Sequence, residues 1–182
     1  MTNFIASPED KPFWCAQGER DEHAFVRFVA PAHGLTGAIN PLKQFDPHVP
    51  DLLVNGQLAD LKTQRTPFFT AGRYDLDPQF TVTLNVIDLE RYRCLSEDFP
   101  LYFWVRWDTL QARFSGRSYT VRPLEGVWRT TVADLLELVE AGCVARHVYR
   151  NRIDDRSGNA KESYVLDLAW MTHLPYVLEE AA

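Results

Sequence analysis

Asp51, Asp60, Lys62 and Gln64 carry the chemistry most directly legible in this 182-residue chain. They flank Asn55-Gly56, which lies between Leu52-Leu53-Val54 and Gln57-Leu58-Ala59. Asn-Gly between apolar runs is the strongest short-range signal for a two-residue β-hairpin turn. With Asn55 and Gly56 as the loop, Val54 pairs with Gln57, Leu53 with Leu58, Leu52 with Ala59, and Asp51 with Asp60. The two carboxylates then face each other with Cβ atoms roughly 5 Å apart, a destabilising arrangement unless a proton or a cation lies between them. Side-chain alternation places Lys62 and Gln64 on the face of Asp60, with the ammonium roughly 7 Å along the strand. Such a hairpin end is expected to form a divalent-metal site with a lysine beside it. The structural alternative is a solvated edge hairpin in which Lys62 offsets two aspartates, an ion pairing that contributes only about 0–1 kcal/mol.

The elements around the hairpin alternate between helix and strand. Residues 1–16 read as an irregular arm anchored by Phe13 and Trp14. Gly18 to Ala30 reads as a helix stopped by Pro31 and Gly34. Glu22 shares the stripe of Phe25, Val26 and Val29, and an acid on a buried stripe needs a partner; a helix-start glutamate favoured by the helix dipole is the other reading. Leu35 to Asn40 reads as a first strand, residues 49–54 and 57–64 as the hairpin, and residues 65–80 as a turn-rich loop. Thr81 to Val86 fits a strand or a helix entry, and Asp88 is expected to cap a helix over Leu89 to Leu95. Leu101 to Trp107 is a nearly continuous apolar run, the signature of an interior strand covered on both faces. Later residues supply a hairpin around Ser115-Gly116 and an amphipathic helix opening at Thr130-Thr131 and ended by Gly142. Two strands, Val144 to Ile153 and Ser163 to Trp170, follow around the polar turn 154–159.

Pro50-Asp51 at the end of one strand and Asp60-Leu61-Lys62 on the next resemble the PD-(D/E)XK nuclease superfamily. Helix, strand, hairpin, helix, strand over about residues 17–107 is the core order of that fold. The resemblance implies an α/β class, with a restriction-endonuclease-like mixed central β-sheet flanked by helices. Residues 108–182 would add C-terminal strands and a helix within one domain, 1–182. It also implies a Mg²⁺ site, with Mn²⁺ as substitute, held by Asp51, Asp60, the Leu61 backbone carbonyl and Glu22, since a glutamate of the first helix often joins such sites. Lys62 would orient the attacking water or stabilise developing negative charge, and Gln64 would hydrogen-bond the phosphate or the water. The implied substrate is nucleic acid, DNA foremost, in restriction, repair, recombination or a phage or mobile-element setting. One site per chain cuts both strands of a duplex by homodimerising or by acting twice.

Composition bounds these expectations. The chain is 46% hydrophobic and 13% aromatic, a globular composition. No apolar run reaches the ~20 residues of a membrane span, and Met1 to Lys11 lacks a secretion signal. Cys15, Cys94 and Cys143 are dispersed and odd in number, which points to a reducing, cytoplasmic location. The five histidines show no metal-ligand spacing, and glycine patterns for P-loops, Rossmann sites and nucleophile elbows are missing from the sequence. The net charge of −6 argues against wholesale polyanion binding, yet arginines crowd the second half: Arg106, Arg113, Arg117, Arg122, Arg129, Arg146, Arg150, Arg152 and Arg156. Arginine suits bidentate phosphate contacts. The acidic balance keeps a second class open, a non-catalytic module of the same fold that binds nucleic acid or a protein.

Overall fold

Asn55 (φ 51°) and Gly56 (φ 78°) both occupy the left-handed region, the backbone of the tight hairpin turn whose twist matches its strands. In the computed structural model, which describes residues 10–114, 116–150, 152 and 159–177, the strands on either side are β2 (Leu52–Val54) and β3 (Gln57–Gln64). Their register is Val54↔Gln57, Leu53↔Leu58 and Leu52↔Ala59, as the turn dictates. Before them lies β1 (Gly37–Ile39), antiparallel to β2.

The helix that precedes β1 starts earlier than its sequence suggests. α1 spans Lys11–Ala24 and continues through a π-helical turn, Phe25–Val29, into a last turn, α2 (Ala30–Ala32). Residues 11–16 are therefore helical and not an arm; Asp10 caps the N-terminus by accepting from the Phe13 amide at 3.1 Å, and Pro12 sits in the first turn, where a missing N–H costs nothing.

β4 (Thr81–Asn85) and α3 (Val86–Arg93) cross over to β5 (Pro100–Arg106), which lies parallel to β3 in the register Asp60↔Leu101 to Gln64↔Val105. Thr81–Asn85 is a strand, and Val86 already belongs to the helix. The helix begins before Asp88, with Asn85 at its cap position, so Asp88 lies inside the first turn and is free to face the sheet. β6 (Gln111–Phe114) and β7 (Arg117–Thr120) form the expected hairpin. β8 (Glu125–Thr131), a strand not anticipated from sequence, pairs antiparallel with β5 and leads into α4 (Val132–Glu140) through a Thr131/Asp134 capping box. β9 (Ala145–Val148), β10 (Glu162–Asp167) and the two-residue β11 (Thr172–His173) complete the order. Residues 154–158 of the expected polar turn, and residues 151 and 153 of the strand expected before it, lie outside the described residues.

The result is a mixed six-stranded sheet, β1-β2-β3-β5-β8-β11, with a three-stranded sheet, β4-β10-β9, beside it. β5 is central and buried from Pro100 to Val105, because its alternating residues feed two cores. Tyr102 and Trp104 pack with Phe25, Leu52, Val54, Ala59 and Leu61 under α1. Leu101, Phe103 and Val105 pack on the other face with β4, α3, α4 and β10. Among the described residues no helix is long and apolar enough to cross a membrane.

Candidate active site

Ladder geometry decides where the acidic residues go. β2 ends at Leu52, opposite Ala59, while β3 runs on to Gln64. From Asp60 onward β3 pairs only with β5 among the described residues, and its other edge is open. Side chains from both sheet faces reach this edge: α1 supplies Asp21 and Glu22, while β4 and α3 supply Thr83, Asp88 and Tyr92.

Asp60 is the pivot. Its side chain is 4% exposed and its Oδ2 receives the Lys62 ammonium at 2.9 Å and the Tyr92 hydroxyl at 2.8 Å. Its Oδ1 accepts the backbone N–H of Asp51 at 3.2 Å, which continues the hairpin register one step past β2. Burial pushes the Asp60 carboxyl up to about 6, against the pull of Lys62 and reinforced by the nearby Asp51 charge. The short ion pair and the raised proton affinity coexist because the desolvation of a buried carboxylate outweighs one close cation.

Lys62 lies between Asp60 and Asp88, whose Oδ2 is 3.2 Å away, with the ammonium 5.4 Å from the centre of the Tyr92 ring. Burial alone would lower its pKa; Asp60 first, then Asp88 and Asp51, hold it well above the ordinary lysine value. It is a cation at every physiological pH. Tyr92 is held protonated, chiefly by burial, so it serves Asp60 as a donor.

Asp51 turns its carboxylate the other way. Lys43, on the 3₁₀ turn Pro41–Gln44, places its ammonium 2.6 Å from Asp51 Oδ1 and 2.5 Å from Glu22 Oε2. Glu22 is 9% exposed, and Lys43 is the partner that an acid on this buried stripe requires. Asp21, beside it, is bound by Arg65 at 2.5 Å and by the Thr63 hydroxyl at 3.2 Å.

Of the residues singled out from sequence, Asp51, Asp60, Lys62 and Glu22 join one chain of contacts, and Leu61 lies between Asp60 and Lys62 with its side chain in the α1 core. Gln64 stands further along the same face, donating to the Thr83 carbonyl at 2.6 Å and hydroxyl at 3.1 Å. Lys43, Asp88, Tyr92 and Asp21 escaped the sequence reading. Asp88 and Tyr92 follow once the helix start is moved to Val86, since they are then one turn apart on one face; Lys43 has no local signal.

Hard carboxylate oxygens suit Mg²⁺, and the Lys43 ammonium marks a place where two of these carboxylates already converge on positive charge. Among the described residues no three His, Cys, Asp or Glu side chains stand close enough together to hold a metal ion as they are. A divalent ion drawing on Asp51 and Glu22 would take over the neutralising role that Lys43 now fills.

The second-half arginines are distributed. Arg106 pairs with Asp108 and Arg146 with Glu162; Arg113 and Arg117 lie on the β6–β7 hairpin. Arg152 lines a cleft of about 640 Å³ at the end of β3, and Arg156 lies outside the described residues.

No family model matches this chain, nor does any curated protein. Among solved structures, a nuclease from a fusselovirus aligns with 90% of this chain and 85% of its own at 10% identity, with a TM-score of 0.40. A likeness of that degree assigns neither fold family nor activity to this chain.

Proposed function

We propose that this protein is a metal-dependent nuclease that hydrolyses phosphodiester bonds, in DNA foremost, on a framework like that of the PD-(D/E)XK enzymes which Pro50-Asp51 and Asp60-Leu61-Lys62 resemble. The observation that carries this reading is the juxtaposition of Asp51 with buried Asp60, beside Lys62, where β3 outruns β2. Burying the Asp60 carboxylate costs stability that Lys62 and the Tyr92 hydroxyl only partly offset, and a site that uses the carboxylate accounts for that cost.

Asp51, Asp60, Glu22 and the Leu61 carbonyl would hold Mg²⁺ or Mn²⁺, an ion that polarises a phosphoryl oxygen and acidifies its bound water. Lys62, permanently cationic, cannot serve as a base near neutral pH; it faces the negative charge that develops on the phosphoryl oxygens and orients the attacking water. Asp88 and Tyr92 are positioning residues, the first holding Lys62 and the second fixing the Asp60 carboxylate. Helix, strands, hairpin and a parallel β3/β5 pair occur in the order that such a framework needs.

A second reading, a nucleic-acid- or protein-binding module without catalysis, is favoured by one observation: Lys43 already neutralises Glu22 and Asp51. Thermal unfolding separates the two. A nuclease site predicts that Mg²⁺ or Mn²⁺ raises the melting temperature of the wild type by several degrees, as ligation of the native state does, and that Asp51→Asn abolishes the rise. No metal effect on the wild type moves the assignment to the binding module.

A further inference from the structure

The open edge of β3 does not end at Lys62. Beyond it, Gln64 lines a 640 Å³ cleft together with Trp14 and Asp21 of α1, Phe68 of the loop after β3, and Tyr149 and Arg152 after β9; the Asp21 carboxylate is held by Arg65. A second depression, shared by Trp14 and Arg152, reaches Asn85, which donates to Asp88 Oδ2 at 3.4 Å, the same oxygen that holds Lys62. The recess therefore adjoins the candidate active site along one strand. Lys62 and Gln64 are two residues apart, roughly 7 Å.

The walls are built from flat groups. The Arg152 guanidinium lies 3.6 Å from the centre of the Tyr149 ring and donates to the Ala160 carbonyl, which fixes its plane. Tyr149 stands edge-on to His147 at 4.6 Å, and His147 meets Phe68 at 5.0 Å and accepts or donates at the Tyr74 hydroxyl at 2.8 Å. Phe68 and Tyr149 are thus braced from behind as fixed surfaces. Trp14 is 42% exposed on the facing helix. Aromatic faces with arginine beside a backbone path are how proteins hold unpaired nucleic acid, since every base has a π-face. A recess of about 640 Å³ has room for an unstacked base, whose π-faces a paired and stacked duplex keeps covered.

We propose that the open edge of β3 binds a single, unpaired nucleic-acid strand, with one base seated in the cleft between Trp14, Phe68 and Tyr149 and the adjoining phosphate directed to Lys62. The location of that phosphate rests on the nuclease reading; the base site does not. The strand runs along β3, and the enzyme acts on single-stranded, flapped or splayed DNA in preference to intact duplex.

The test is fluorescence anisotropy in EDTA, where no metal-dependent cleavage takes place, with a labelled oligothymidylate and a hairpin duplex of equal nucleotide count. The wild type is expected to bind the single strand at least tenfold tighter. Tyr149→Ala and Phe68→Ala are each expected to weaken it about tenfold, the scale of one base–aromatic stack, while Tyr149→Phe, which keeps the ring, binds like wild type. Unchanged circular-dichroism melting of the variants separates loss of stacking from loss of fold. Equal or tighter duplex binding, or alanine variants that melt normally and bind normally, overturns the proposal. Cleavage with Mg²⁺ is read in parallel. Single-strand binding without cleavage keeps the cleft and removes the nuclease reading; cleavage confined to duplex keeps the nuclease reading and removes the cleft.

Discussion

The backbone N–H of Asp51 donates to Oδ1 of Asp60 at 3.2 Å, so the hairpin register and the meeting of the two aspartates are one feature. A one-residue slip of β3 would turn Asp60 and Lys62 toward the α1 core and Leu61 toward Asp88 and Tyr92. The Asn55-Gly56 turn therefore sets the site as well as the strands. Because β2 stops while β3 continues, the same feature opens the edge along which Lys62 and Gln64 stand.

Lys43 is predicted to compete with divalent metal. Lys43→Met leaves partly buried Asp51 and buried Glu22 without their counter-ion, and the metal-free protein should lose about 2 kcal/mol, between the ~0–1 kcal/mol of an exposed pair and the ~3–5 kcal/mol of a fully buried one. In compensation Mn²⁺ should bind about tenfold tighter, read by calorimetry, and its addition should restore the melting temperature. Unchanged metal affinity in Lys43→Met would mean that ammonium and metal do not share these carboxylates.

Asp60 predicts a pH dependence of stability. Its pKa is raised from 3.8 to about 6 in the folded protein, so between these values the native state holds more protons than the unfolded state. Its contribution is full below about pH 4 and is lost as pH rises through about 6, on the order of 2–3 kcal/mol in all. Chemical denaturation of the wild type should show this component, and Asp60→Asn should lack it. Saturating Mg²⁺ should flatten it as well, because a bound cation keeps the carboxylate ionised to lower pH.

Tyr92→Phe tests the positioning role assigned to that hydroxyl. Removing one donor from a buried carboxylate costs roughly 1–3 kcal/mol, and the ring's packing against Phe99 at 5.3 Å survives the change. The expected result is lower stability at neutral pH, a smaller loss at pH 4, and a reduced turnover with little change in KM. A KM effect alone would place Tyr92 at the substrate instead of behind Asp60.

Much of this arrangement could be read along the chain because its signals are local. Asn55-Gly56 determines register through backbone φ, the run from Leu101 to Trp107 declares a strand buried on both faces, and Thr131 with Asp134 announces a helix start. Counting from the turn brings Asp51 opposite Asp60, but the turning of the Asp51 carboxylate toward Lys43 is a tertiary effect. What stayed hidden depends on distant atoms. β8 was missed because Gly126 interrupts its pattern, and the reason for that glycine is tertiary: a Cβ there would lie 2.8 Å from the His173 ring and 2.9 Å from Trp128. The start of α1 was missed because Lys11 to Ala24 buries only Asp21 and Glu22 and shows no apolar stripe. Lys43 lies in a 3₁₀ turn with no periodicity to place it, and only the fold brings it between Glu22 and Asp51.

The central claim is tested most directly by incubating purified wild type and Lys62→Met with single-stranded, flapped, duplex and plasmid DNA, and with RNA, in Mg²⁺, Mn²⁺ or EDTA. Methionine retains much of the lysine stem, so the variant keeps its packing against Tyr92 while losing the charge. The expected result is metal-dependent cutting by the wild type, strongest on unpaired DNA, and a roughly hundred- to thousandfold slower variant, the scale of losing one transition-state contact. Absence of cutting on every substrate, or a Lys62→Met protein that cuts as well as wild type, contradicts it.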